Sequence, residues 1–285
     1  MQEKHAQAVG DGRCAVLTID LNSGSGAKIG ARTLGDDIND AIDQGILNRR
    51  AKEKRREYLG ASLLGDPCVR RLCYIYAGVD VDPGKEISPK TQRIFDIGHE
   101  MEDFIAGQQS DADGVFKAAA VRWFHDAGFD LRTHNSKGEQ FRWTAVEGKM
   151  SGAVDGVILS GPLPEKIRYP VLWECKALGV KGWNKIKKHG VKVGSETYYG
   201  QAQVNLGYLD GTSGSLFTAI NKNDESLHHE LIEFDPSRAQ ALSDRGVDVI
   251  RAVESGHLLD RCANHSDFFV CKMCSYAERC WKVDV

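Results

Sequence analysis

The chain has 285 residues, 41% hydrophobic and 27% charged, which suits an ordinary soluble globular protein with ample core. Its net charge of −3 excludes a surface that binds polyanions everywhere, so nucleic-acid contact would need local basic runs. No apolar run reaches the roughly 18 residues of a membrane helix. The opening MQEKHAQAVGDGR lacks a signal peptide's apolar stretch, so a cytoplasmic protein without membrane partners is expected.

Residues 1–34 are Gly- and Ser-rich, and a loose tail with a short strand at Ala15–Ile19 is expected. Gly24, Gly26 and Gly30 are spaced G-x-G-x3-G, which misses the dinucleotide fingerprint. Residues 35–58 have helical spacing; the basic run Arg49–Arg56 at their end reads as a solvated face or a nucleic-acid patch. A helix started by Pro67 carries Cys68 and Cys73. Pro89 opens a longer one, with Ile94, Ile97, Met101, Phe104 and Ile105 on one face. A further helix is expected at 116–127.

Four strands should follow, at Phe129–Thr133, Phe141–Val146, Gly152–Leu159 and Val171–Cys175. Helices are expected at 181–189 and 195–209, strands at Leu216–Ile220 and His228–Phe234, and a helix at 236–255. This order describes a mixed α/β domain over 61–285, preceded by a tail and helix over 1–60.

Eight cysteines could form four disulfides in a secreted protein, but without an export signal metal or catalytic thiols are favoured. Cys271, Cys274 and Cys280 stand at C-x2-C-x5-C near the C-terminus. Three thiolates so close can grip a metal or cluster but leave it one ligand short. Cys68, about two hundred residues upstream, would supply the fourth and clip the ends of the domain together, with Cys73 its competitor. Cys14 and Cys175 read as bystanders, with Cys175 in the core.

The other chemistry lies between. In Trp173-Glu174-Cys175-Lys176, strand alternation puts Glu174 and Lys176 on one face and Trp173 and Cys175 on the other. A carboxylate and an ammonium so placed suit metal-assisted attack on a phosphodiester. Asp155, in the apolar Gly-flanked run GAVDGVI, needs a partner or a metal if buried. A hairpin joining the two strands would bring Asp155 to Glu174. His99 and Glu102 are three apart and share a helix face. Gln201, in YYGQAQ, could bind phosphate, a base edge or water.

Taken in order, these residues resemble the PD-(D/E)XK nuclease superfamily, and within it the RecB-like branch with a C-terminal iron–sulfur cluster, which includes CRISPR-associated and phage exonucleases. The likeness covers residues 60–285. It implies a restriction-endonuclease-like mixed sheet flanked by helices, and a Mg2+- or Mn2+-dependent DNA exonuclease acting on single strands or duplex ends. His99 and Glu102 match its first motif, Asp155 its second, Glu174 and Lys176 its third, and Gln201 with Tyr198 its helical motif. The implied metal ligands are His99, Glu102, Asp155 and Glu174, with Lys176 positioning or activating water; Glu100 competes for the first motif. Lys181, Lys185, Lys187, Lys188 and Tyr198 would contact DNA. Cys68, Cys271, Cys274 and Cys280 would hold a [4Fe–4S] cluster as a structural staple. Recombination or replication proteins are implied partners, in a bacterium or a phage-infected cell.

Four thiolates also suit Zn2+, and Cys262, His265, Cys271 and Cys274 form a second candidate zinc set. A restriction-type endonuclease and a non-catalytic nucleic-acid-binding protein with a cluster or zinc are the alternative functions.

Overall fold

A computed structural model of the chain describes residues 32–106, 108–110, 116–118 and 123–282. The expected strand at Ala15–Ile19, and Cys14, lie outside the described residues. The chain divides at Gly45/Ile46 into two units. The described part of the first holds most of helix α1 (Leu34–Arg50). Thr33 caps it: its backbone N–H and hydroxyl both donate to Asp36 at 2.8 Å, and its hydroxyl accepts from Asp36 N at 3.2 Å.

The helix ends at Arg50 rather than running on to 58. Beyond it Leu59–Gly60 form strand β1, which was not foreseen and pairs in parallel with Met150 and Ser151. Then come α2 (Ala61–Leu64), α3 (Val69–Ala77) and α4 (Pro89–Ala106). Cys68 caps α3 in extended conformation, so Cys73 lies in the helix and Cys68 only at its edge. The stripe foreseen on α4 exists, but Ile94, Ile97 and Phe104 are 45, 51 and 46% exposed, and only Ile105 is buried.

The helix expected at 116–127 is replaced, among the described residues, by a strand and a short helix. Gln108–Ser110 (β2) and Phe116–Ala118 (β3) pair as an antiparallel hairpin, and α5 covers only Trp123–Asp126. The backbone at 116–118 is therefore committed to a ladder rather than to helical bonds.

Next follow β4 (Leu131–Arg132), β5 (Arg142–Ala145), β6 (Met150–Ala153), β7 (Gly156–Ile158) and β8 (Val171–Leu178). After them come α6 (Val180–Gly194), α7 (Glu196–Tyr208), β9 (Gly214–Asn221), β10 (Leu227–Glu233), α8 (Pro236–Glu254), α9 (Phe269–Lys272) and α10 (Ala277–Lys282). The fold is mixed α/β. A five-stranded sheet runs β10-β9-β8-β7-β4, parallel only between β8 and β9. A three-stranded sheet runs β1-β6-β5.

The strand expected over Gly152–Leu159 is two strands in two different sheets, with Val154 and Asp155 as the link. The flanking glycines show why. A Cβ on Gly152 would lie 2.5 Å from Trp143 Nε1 and 2.7 Å from Asn205 Oδ1. One on Gly156 would lie 2.8 Å from Leu131 Cδ1 and 2.9 Å from the Arg132 carbonyl. Each half is pressed against a different partner, so the chain must change sheets between them.

Helix α7 ties the two sheets together. Trp143 of β5 stacks on Tyr208 of α7 at 4.1 Å, and its indole donates to Asn205 at 2.8 Å. At the other end, a Cβ on Gly200 would meet Gly65 Cα at 3.0 Å, so α2 crosses α7 with their backbones nearly touching. Ser195 caps α7 by accepting from Tyr198 N, and Asp235 caps α8, with Pro236 in its first turn. Helix α6 contains a break at Gly190, whose φ of 73° favours glycine. No helix among the described residues is long and apolar enough to cross a membrane.

Candidate active site and thiol centre

Where β6 gives way to β7, a cleft of about 460 Å3 opens. Glu102 and His99 of α4, Asp155 of the sheet-switching link, Lys176 of β8 and Gln201 of α7 all line it. Glu100 does not, so the geometry separates the residues the sequence left ambiguous.

Glu174 is 1% exposed and does not itself line the cleft, but it is bonded to two residues that do. Its Oε1 lies 2.5 Å from Lys176 Nζ and accepts from Gln201 Nε2 at 2.5 Å. Lys176 also donates to Asp155 Oδ2 at 3.2 Å and to the Cys175 carbonyl at 2.7 Å. Asp155 Oδ2 in turn accepts from Cys175 N at 2.8 Å. The alternation read from the sequence holds: Glu174 and Lys176 meet on one face, while Trp173 and Cys175 pack in the core behind.

Three carboxylates thus share one ammonium. Burial, and then repulsion from Asp155, pushes Glu102 up to about 9 and Glu174 up to about 7. Burial alone would lower the Lys176 ammonium, but Asp155 and Glu174 outweigh it and hold it well above its usual range. Lys176 stays protonated among these carboxylates. The donor set is oxygen-rich, which fits a hard divalent cation. Among the described residues no three metal-capable side chains form a ready ion cage. Lys176 stands between Asp155 and Glu174 and must yield part of that place before an ion can bind both.

Two exposed arginines of this cleft escaped the sequence reading as site residues. Arg56 comes from the loop before β1 and Arg142 from β5. The run ending at Arg56 was a signal for the first; nothing local marked Arg142. By contrast Lys181, Lys185, Lys187 and Lys188 are exposed on α6 and do not line the cleft, and Lys187 sits 4.6 Å over the Trp183 ring. Tyr198 is half-buried, 5.8 Å from the Phe217 ring.

A second convergence joins the region of α3 to α9 and α10. Cys68, Cys262, Cys271, Cys274 and Cys280 line one cavity of about 20 Å3. Cys73 is elsewhere, fully buried in the core beside Leu72 and Val249. His265 does not line the cavity, so the zinc set that includes it is not gathered. Burial and its thiol neighbours push Cys262 up to about 12. Beside the cavity, Tyr74 stacks on Tyr276 at 5.2 Å. Buried Asp82, which the sequence reading passed over, accepts from Glu278 N at 2.7 Å and Arg279 N at 3.3 Å in the first turn of α10. That contact clips the segment after α3 to α10 without any metal.

No protein-family model matches the chain, and no curated protein matches it. Solved structures similar to it include the alkaline exonuclease LHK-Exo from Laribacter hongkongensis, at 12% identity over 76% of this chain and 93% of that one, with a TM-score of 0.44. The complex of LHK-Exo with dAMP is 14% identical over 71% and 90%, with a TM-score of 0.43. SSO0001 is 13% identical over 88% and 98%, with a TM-score of 0.48.

Proposed function

We propose that the protein is a divalent-metal-dependent DNA nuclease of PD-(D/E)XK type, an exonuclease acting on single strands or duplex ends. The observation that carries this reading is the convergence of Asp155, Lys176, Glu102 and Gln201 on one cleft, with Glu174 bonded to Lys176 and Gln201. In this reading Asp155, Glu174 and Glu102, with His99 at the rim, hold Mg2+ or Mn2+. When bound, such an ion polarises a phosphoryl oxygen and lowers the pKa of its water. Gln201 fixes the Glu174 carboxylate by donating to Oε1. Lys176, protonated, faces the negative charge that develops on the phosphoryl oxygens and steadies it. Arg56 and Arg142 offer cations to the phosphates of an incoming strand.

Cys68, Cys271, Cys274 and Cys280 hold a structural metal centre in the same reading. The sequence resemblance implies [4Fe–4S], with Zn2+ as the alternative. Five thiols, these four and Cys262, line the cavity, and an all-thiolate donor set suits either group once the sulfurs draw into coordination range.

Incubation with Mn2+ and either end-labelled linear DNA or a closed circle tests the activity. Mononucleotides released from the linear substrate alone support the reading. Site-specific cutting of the circle replaces it with an endonuclease, and no cleavage of either refutes it. Iron and zinc content and the visible spectrum of anaerobically purified protein identify the thiol-bound metal.

A further inference from the structure

The thiol cavity has one cysteine more than a four-coordinate centre needs. Cys262 lines it beside the expected four. The two candidates for the fourth position arrive from opposite ends of the chain. Cys68 is set from the N-terminal side: its backbone N–H donates to Asp66 Oδ1 at 2.8 Å, and Asp66 is paired with Arg71. Cys262 is set from the C-terminal side. Its neighbour Arg261 donates to the Cys280 carbonyl through Nε at 3.2 Å and Nη2 at 2.6 Å, and lies 4.6 Å over the Trp281 ring. Cys262 is therefore fastened to α10, the helix that carries Cys280, whatever Cys68 does.

We infer that Cys262 is a fifth thiol ligand of this centre, exchanging with Cys68 for the fourth coordination position. The inference rests on the reading that the cavity holds a metal. Its physical consequence is a choice between two closures. Ligation through Cys68 ties α3 to the C-terminal end across almost the whole domain. Ligation through Cys262 closes only a short loop between 262 and 280. A long closure constrains the unfolded chain more than a short one, so only the Cys68 form links metal binding to the stability of the whole domain.

The test compares intact wild-type protein with Cys68→Ser, Cys262→Ser and the double variant, and takes Cys73→Ser as control. Metal content and absorption are read first. Both single variants should keep their metal, and the double variant should lose it. Chelator treatment should lower the melting temperature of Cys262→Ser and leave that of Cys68→Ser almost unchanged. Alkylation of wild-type protein followed by mass spectrometry avoids any folding failure of the variants. In metal-loaded protein, Cys68 and Cys262 should each be partly labelled while Cys271, Cys274 and Cys280 are protected; all five should label after chelation. Full protection of Cys68 with full labelling of Cys262 overturns the inference, as does complete loss of metal from Cys68→Ser. Wild-type protein that contains no metal overturns the underlying reading as well.

Discussion

The burial of Glu102 beside two other carboxylates makes a prediction that needs no metal. Glu102 faces Asp155 and Glu174, which raise it, and Lys176, which lowers it, with His99 on the same cleft wall. Its carboxyl titrates near 9 in the folded protein and near 4.5 when unfolded. Glu174 titrates near 7. Between those values the folded chain binds protons that the unfolded chain has released, so stability falls as pH rises. The Glu174 contribution is spent by about pH 7. From pH 7 to 9 Glu102 remains, and at about 1.4 kcal/mol per unit its loss comes to about 3 kcal/mol. For a domain of this size that is a fall in melting temperature of order 5–10 °C.

The variant Glu102→Gln keeps the shape and removes the charge. Measured in EDTA across pH 7–9, wild-type melting temperature should decline toward pH 9 and that of Glu102→Gln should stay nearly flat, with the variant the more stable at pH 9. Added Mn2+ at pH 8 should raise the wild type more than the variant, because only the wild type gains from neutralising that carboxylate. Equal slopes for the two proteins, or a variant less stable at pH 9, would refute the assignment of the crowded charge to Glu102.

Asp155→Asn and Glu174→Gln should each lower turnover at saturating Mn2+ by at least about a hundredfold while the protein stays folded by circular dichroism; near-normal turnover in either removes that residue from the site. Lys176→Ala should depress single-turnover rate far more than DNA affinity, whereas Arg142→Ala should weaken binding and reduce its logarithmic salt slope by about 1. Binding titrations across salt, beside rates, separate the two, and equal affinity losses would void the distinction. Asp82→Ala should cost about 1–3 kcal/mol, because two backbone donors of α10 lose their buried acceptor. An unchanged chemical denaturation midpoint would show that the clip contributes nothing.

The pairing of Glu174 with Lys176 was legible because strand alternation is a local rule, and β8 obeys it. The placement of Asp155 was legible only in part. Gly152–Leu159 reads as one apolar run, and the forces that split it come from Trp143, Asn205, Leu131 and Arg132, all distant in sequence. The same applies to α4: spacing gave its stripe, but spacing cannot say what covers it, and Ile94, Ile97 and Phe104 stand half in solvent. The cysteine trio was marked by its spacing. Cys262 was read only as part of a zinc set with His265; the contact of Arg261 with Cys280, which places it at the cavity, is invisible in the sequence.

The sheet switch also explains why the cleft lies where it does. Strand β8 pairs with β7 only from Val171 to Trp173, because β7 begins at Gly156 opposite Trp173. On its other edge β8 pairs with β9 as far as Leu178. From Glu174 onward, then, the β7 side of β8 has no strand partner, and the first N–H beyond it, Cys175, would be left without an acceptor. Asp155, the last residue before β7, supplies that acceptor with its side chain. The bond that repairs the interrupted ladder is the one that holds a carboxylate 3.2 Å from the Lys176 ammonium. The interruption thus sets Asp155 beside Lys176 at the cleft, with Glu174 bonded to the same ammonium.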